Sequence, residues 1–207
     1  MGNHLVIFLT SFGIAFSGAL MPGPLLSGTI SESIRRGPLT GPLFILGHGI
    51  LELILITALF LGLAPILVQE NVFTFIALAG GGFMIFMAAG MLKGLPLLSL
   101  QADETIPLKG NLIFLGAALS LANPYWLIWW ATIGLGYILS AGKLGLSGVI
   151  SFFTGHILAD ALWYVFVSAA VSKTRTFMSD KVYRTLIGVC AVFLLSYALY
   201  LIGTVVF

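Results

Sequence analysis

Gly47-His48-Gly49-Ile50-Leu51-Glu52 and Gly155-His156-Ile157-Leu158-Ala159-Asp160 set glycine, histidine and a carboxylate in the same register twice in one chain. Both copies stand inside long apolar runs. Glu52 is the only charged residue between Gly37 and Gln69, and Asp160 the only one between Leu144 and Ser172. A carboxylate in such a run is costly unless it faces a partner or a wet cavity. On a helix each His and its acid lie four residues apart, on one face and about 6 Å apart along the axis. The chain therefore offers two matched polar faces in apolar surroundings.

Working outward, the 207 residues are 59% hydrophobic and 8% charged, with a mean hydropathy of +1.13. No soluble domain of this length carries such a surface. Uncharged runs extend over Leu5–Ser31, Asn71–Leu92, Gly110–Gly142 and Thr185–Phe207, and the runs holding Glu52 and Asp160 complete a set of six. Each exceeds the roughly 20 residues of a spanning helix. The expectation is an all-α integral membrane protein with six transmembrane helices and no room for a soluble catalytic domain. No Lys or Arg precedes the first run and no polar, small-residue cleavage region follows it, so it is expected to persist as a helix over Leu5 to about Leu26. The single Cys190 forms no internal disulfide and reads as packing.

Charge placement suggests an orientation. With both termini outside, the inner loops collect Arg35, Arg36, Lys93, Lys109, Lys173, Arg175, Lys181 and Arg184, leaving only Lys143 outside. Cytoplasmic loops gather Lys and Arg, so both termini are expected on the non-cytoplasmic side of the membrane. The formal charge of +2 is spread over these loops, and no nucleic-acid partner is expected.

Two helices carry breaks. Pro22-Gly23-Pro24 ends the first, and Asn123-Pro124 interrupts the fourth, which is expected over Leu112 to about Leu135. Proline removes a backbone donor, and in hydrocarbon the freed carbonyls need protein or a wet cavity beside them. The first break reads either as the lining of a substrate path or as a kink near the cytoplasmic interface. Leu25 to Arg36 reads as a cytoplasmic helix extension closed by Gly37-Pro38. The second helix is expected over Gly41 to Val68 and the third over Val72 to Leu92, where Gly80-Gly81-Gly82 marks a close crossing or a hinge. The fifth and sixth are expected over Leu146–Val171 and Tyr183–Val206.

Residues 94–109 read as a cytoplasmic linker between halves at 1–93 and 110–207. Each half has a proline break in its first helix and a Gly-His-acid face in its second. An odd number of spans per half makes the second copy enter from the opposite side, giving two inverted three-helix repeats with a site near the midplane.

Taken in order, several motifs resemble the lysine exporter (LysE/RhtB) family of small bacterial amino-acid exporters, over essentially the whole chain. They are Pro22-Gly23-Pro24 with Gly37, Gly41 and Gly47, then Asn123-Pro124, then Asp160 with Trp163-Tyr164. The resemblance implies a plasma-membrane exporter, often a homodimer, driven by the proton gradient. Members of that family move lysine, arginine, threonine, homoserine, leucine or cysteine derivatives. Many of them have Lys after the Asn-Pro, where this chain has Tyr125, and this chain is the richer in imidazole and acid. Both departures bear on the substrate.

His48, Glu52, His156 and Asp160, with Asn123, are the candidate groups for substrate binding or proton coupling. A carboxylate and an imidazole taken out of water can exchange protons near physiological pH. The carboxylates could also meet a substrate ammonium, while helix ends at the breaks meet its carboxylate. The plainer alternative pairs each acid with its own histidine for packing alone. Trp126, Trp130, Trp163 and Tyr164 are candidate aromatic lining, or else packing and interface anchors. A second class of function is open: the two His and two carboxylates form a four-ligand set for a divalent metal, which would make the chain a metal-ion exporter. Neither copy supplies the His-Glu-x-x-His arrangement of a metalloprotease, so an enzyme is not expected, and no cofactor is implied.

Overall fold

The computed structural model describes residues 2–67, 69–98, 110–174 and 179–206. The helices are α1 (Gly2–Ala19), α2 (Pro24–Arg36), α3 (Thr40–Ala58), α4 (Ala64–Leu67), α5 (Glu70–Gly94), α6 (Leu112–Leu121), α7 (Pro124–Trp129), α8 (Leu135–Gly142), α9 (Gly145–Thr174) and α10 (Asp180–Val206). There is no strand among the described residues. Among the described residues, four segments are long and apolar enough to cross a membrane alone: Thr40–Ala58, Glu70–Leu97, Gly145–Thr174 and Asp180–Val206. The bent pairs Asn3–Ala19 with Pro24–Arg36 and Leu112–Leu121 with Pro124–Gly142 make six if each pair is one span. The chain is an all-α, multi-pass membrane protein. Phe75, Phe86, Phe114 and Tyr200 stand exposed on its outer surface, where lipid tails replace water as their solvent.

The first break is sharper than the sequence suggests. The helix expected to reach Leu26 stops at Ala19, and α2 leaves at 77°. Gly23 holds an extended backbone and Pro24 starts α2, where its missing N–H is no loss. The segment read as a cytoplasmic extension is mostly buried, and Glu32, fully enclosed, pairs with Arg36 at 2.8 Å and Arg35 at 3.6 Å. The second break bends by 65°, with the Asn123 side chain accepting the Tyr125 N–H at 3.2 Å to cap α7. The helix expected to run to Val68 ends as α-helix at Ala58. A kink within Leu59–Leu63 follows, where Gly62 leaves helical geometry at φ 109°, a backbone region that glycine enters readily. Of the expected linker, Gly94–Leu97 remains helical, while 99–109 lie outside the described residues, as does Arg175.

Packing exchanges elements between the two halves. α1 lies along α9, α3 lies against α6 and α9, and α5 lies along α10. The glycines of the repeated motif make two of these contacts possible. A Cβ on Gly47 would collide with the carbonyl of Ile113 in α6, and one on Gly155 with the carbonyl of Phe8 in α1. The triple glycine is likewise a crossing: a Cβ on Gly80 would strike Pro124, and one on Gly81 would come within 2.7 Å of Ile202.

Candidate functional site

The two Gly-His-acid faces meet. Gly49 lies close enough to Ile157 that an added Cβ would come within 3.0 Å, and Gly41 opposes the backbone of Tyr164, so α3 and α9 approach closely around the polar residues. His48 Nε2 lies 3.1 Å from Glu52 Oε1 and 3.5 Å from Asp160 Oδ2. His156 Nε2 lies 3.1 Å from the same Glu52 oxygen and 3.4 Å from the same Asp160 oxygen. Each imidazole therefore bridges both carboxylates, and each face pairs with the other as well as within itself. All four side chains are buried, with Glu52 1% exposed and Asp160 4%.

Around this centre the neighbours are unequal. Trp126 and Trp130 both donate their indole N–H to Glu52 Oε1, at 3.2 and 3.0 Å. Ser120 Oγ lies 2.8 Å from His48 Nδ1 and gives its own proton to the Gly116 carbonyl at 2.8 Å. A hydroxyl has one proton, so Ser120 accepts from Nδ1–H of His48, and Nε2 is the ring nitrogen turned to the carboxylates. His156 is ringed instead by aromatics: the centroids of Trp129, Trp130 and Phe152 lie 4.8, 5.5 and 6.0 Å from its own. Its Nδ1 has no hydrogen-bond partner among the described residues, and neither has Glu52 Oε2 nor Asp160 Oδ2.

The cluster forms one wall of a cavity of about 50 Å³ that also reaches both helix breaks through Met21, Leu25 and Asn123. A water needs roughly 10–15 Å³ counted this way, so the space suits a few waters or a small hydrated ion. No Lys or Arg is among the residues lining it. Trp129 donates to Ser17 Oγ at 3.0 Å and the Tyr125 hydroxyl to the Ser17 carbonyl at 3.1 Å, tying α7 to the end of α1 beside the cavity.

Of the residues singled out in the sequence, His48, Glu52, His156, Asp160, Asn123, Trp126, Trp130 and Tyr164 line this cavity. Pro22, Gly23, Pro24 and Pro124 do not; they shape the turns whose neighbours do. Pro24 instead borders a larger cavity of about 410 Å³ beside Ser31, Glu32 and Arg35. Trp163 also lies elsewhere, packed on the apolar cluster around Phe44 and against Phe166 at 6.0 Å. Ser120, Tyr125 and Trp129 belong to the site without having been singled out. Trp126, Trp129 and Trp130 share one face at i, i+3 and i+4, which is the signal that points to Trp129. His48, Glu52, His156 and Asp160 are also the group that could hold a metal, one ligand atom from each lying within 4.8 Å of the others.

Comparison with known proteins agrees with this architecture. The family described as LysE type translocator matches residues 16–204. The chain is 26% identical to the chemotactic transduction protein ChpE of Pseudomonas aeruginosa over 195 residues, covering 94% of this chain and 96% of that one. It is 23% identical over 197 residues to YcgF of Bacillus subtilis, named as a candidate amino acid efflux protein, with 94% of each chain covered. No solved structure matches.

Proposed function

The chain belongs to the LysE type translocator family, and on that premise we propose that it exports amino acids or similar small metabolites across a bacterial or archaeal plasma membrane in exchange for protons. The observation that carries this reading is the buried cluster of two imidazoles and two carboxylates in a cavity reached by both helix breaks. A positive group, whether a substrate ammonium or a proton, is the natural occupant of a centre with two acids and no Lys or Arg in its lining. Trp126 and Trp130 hold Glu52 in place, and the faces of neighbouring rings offer cation–π contact to an ammonium. At about 50 Å³ the cavity is too small for a metabolite, and one enters when the broken helices move.

The architecture of this exporter is two inverted three-helix repeats, residues 1–93 and 110–207 joined by 94–109, with both termini outside. In support, each motif glycine crosses the first helix of the other half, Gly155 against α1 and Gly47 against α6. Each first helix is also broken at a proline.

In proteoliposomes carrying an internal pH indicator, an imposed amino-acid gradient is expected to move protons, and Glu52→Gln or Asp160→Asn to abolish that movement. Unchanged coupled transport in either variant sinks the reading. Cysteines placed in the Arg35-Arg36 loop are expected to escape labelling from outside intact cells; labelling there reverses the orientation.

A further inference from the structure

We infer that His48, Glu52, His156 and Asp160 form a binding site for a divalent transition-metal ion of the zinc, nickel and manganese class. The inference goes beyond the export reading and does not depend on it.

Three observations converge. The first is geometry. A four-coordinate ion with bonds of about 2.0–2.2 Å to nitrogen and oxygen holds neighbouring ligand atoms about 3.3–3.5 Å apart. Four of the six separations among these ligand atoms, those between a His nitrogen and a carboxylate oxygen, are 3.1, 3.5, 3.1 and 3.4 Å, and all six are within 4.8 Å. The second is the anchoring of the ligand atoms. Because His48 gives Nδ1–H to Ser120, its Nε2 is the atom that faces the two carboxylate oxygens, and release of the Nε2 proton on metal binding leaves its lone pair on that side. Asp160 Oδ2 is buried between both imidazoles, at 3.5 and 3.4 Å, and has no closer hydrogen-bond partner among the described residues.

The third is the surrounding support. Histidines and carboxylates that hold metals are themselves oriented by outer hydrogen bonds. Ser120 supplies this for His48, and the Trp126 and Trp130 indoles supply it for Glu52. Metal ligation takes the imidazoles neutral, and with two carboxylates they then carry a charge of −2 that a divalent ion cancels, which matters in so apolar a setting. Imidazole with carboxylate and no thiolate favours zinc, nickel, cobalt or manganese over soft monovalent copper, and nitrogen ligands disfavour magnesium and calcium. A few waters of space beside the cluster complete the coordination of an ion, whereas an amino acid needs the cavity to open.

The test is calorimetric titration of the full-length protein, purified in detergent and stripped with chelator, using zinc, nickel and manganese chlorides. One ion per chain is expected for at least one of these metals. The affinity is expected to fall by at least about tenfold in Asp160→Asn and in His156→Gln, each checked for monodisperse folding. His4→Ala, a histidine bonded to Ser147 away from the cluster, is expected to leave it unchanged. Cobalt chloride supplies a readout that needs no variant, because four-coordinate nitrogen and oxygen ligation gives intense visible absorption bands. No heat with any of the three metals, binding that survives in Asp160→Asn, or loss confined to His4→Ala overturns the inference. A negative result leaves amino-acid-driven proton movement in proteoliposomes untouched, and failure of that movement leaves the metal heat untouched, so the two readings fail separately.

Discussion

The α3 and α9 faces carry the same motif and the same packing duty but hold their acids differently. Four nitrogens converge on one oxygen of Glu52, two of them indole N–H donors that point nowhere else. Asp160 receives neither indole, and its nearest nitrogens stand at 3.4 and 3.5 Å. The histidines divide the same way: His48 is anchored through Ser120 to the backbone, while His156 rests among rings with Nδ1 unbonded. The difference of one methylene between Glu and Asp is part of the cause, since the longer side chain reaches the indoles of α7 and the turn after it. The α3 face is thus the more tightly held of the two, and under the proposed function Glu52 serves as the fixed pole and Asp160 as the exchangeable one.

The equal part of the comparison breaks most easily at the glycines. Gly47→Ala and Gly155→Ala each put a methyl group into a backbone carbonyl of the opposite half. With backbone on both sides, neither contact relaxes cheaply, and each substitution is expected to cost about 3 kcal/mol or more, at or above the upper end for overpacking. Thermal unfolding in detergent measures both. If one is tolerated and the other is not, the two crossings are not equivalent and the inverted-repeat architecture loses its main structural support.

The unequal part is tested at the acids. Glu52→Gln removes the charge that four nitrogens address and is expected to destabilise by about 3–5 kcal/mol, the cost of breaking a buried pair from one side. Asp160→Asn removes no indole bond, and about 1 kcal/mol is expected. Both variants are nonetheless expected to lose coupled transport. Equal stability losses would abolish the distinction between a fixed and an exchangeable pole. Between these two stands Trp130→Phe, which deletes one hydrogen bond to a charged group, worth about 1.5–3 kcal/mol. Its effect is expected to vanish in a Glu52→Gln background, and additivity there would show that the indole serves only packing.

Much of this centre is legible in the chain because its signals are local. Apolar runs name the spans, prolines name the breaks, and the spacing of His48 to Glu52 and His156 to Asp160 names the faces. That the faces meet depends on how deeply helices approach, which the glycines permit but do not by themselves reveal. The burial of Glu32 is hidden for the same reason: α2 reads as a charged surface segment until a 77° turn lays it against α9, α3 and α6. Trp163 takes the packing alternative. It shares a helical face with Asp160, yet packing against Phe166 and the cluster around Phe44 takes it out of the cavity. Asn123 reads as a candidate for substrate binding or proton coupling, and its carbonyl oxygen is spent in part on capping α7.

The smallest expected effect lies at Ser120. Ser120→Ala removes the acceptor for His48 Nδ1–H while leaving every atom of the four-residue cluster in place. Losing one buried hydrogen bond is expected to cost about 1 kcal/mol, within what the fold tolerates. The consequence for function is larger than for stability, because His48 then joins His156 in lacking an outer anchor, and its ring is free to turn Nε2 away from the centre. Zinc affinity in the titration described above is expected to fall roughly 10–100-fold, the range for loss of an outer partner of a ligating histidine. A variant that unfolds at the wild-type temperature and binds zinc as tightly shows that His48 is held by the carboxylates alone, and the two poles then differ only in the indoles of Trp126 and Trp130.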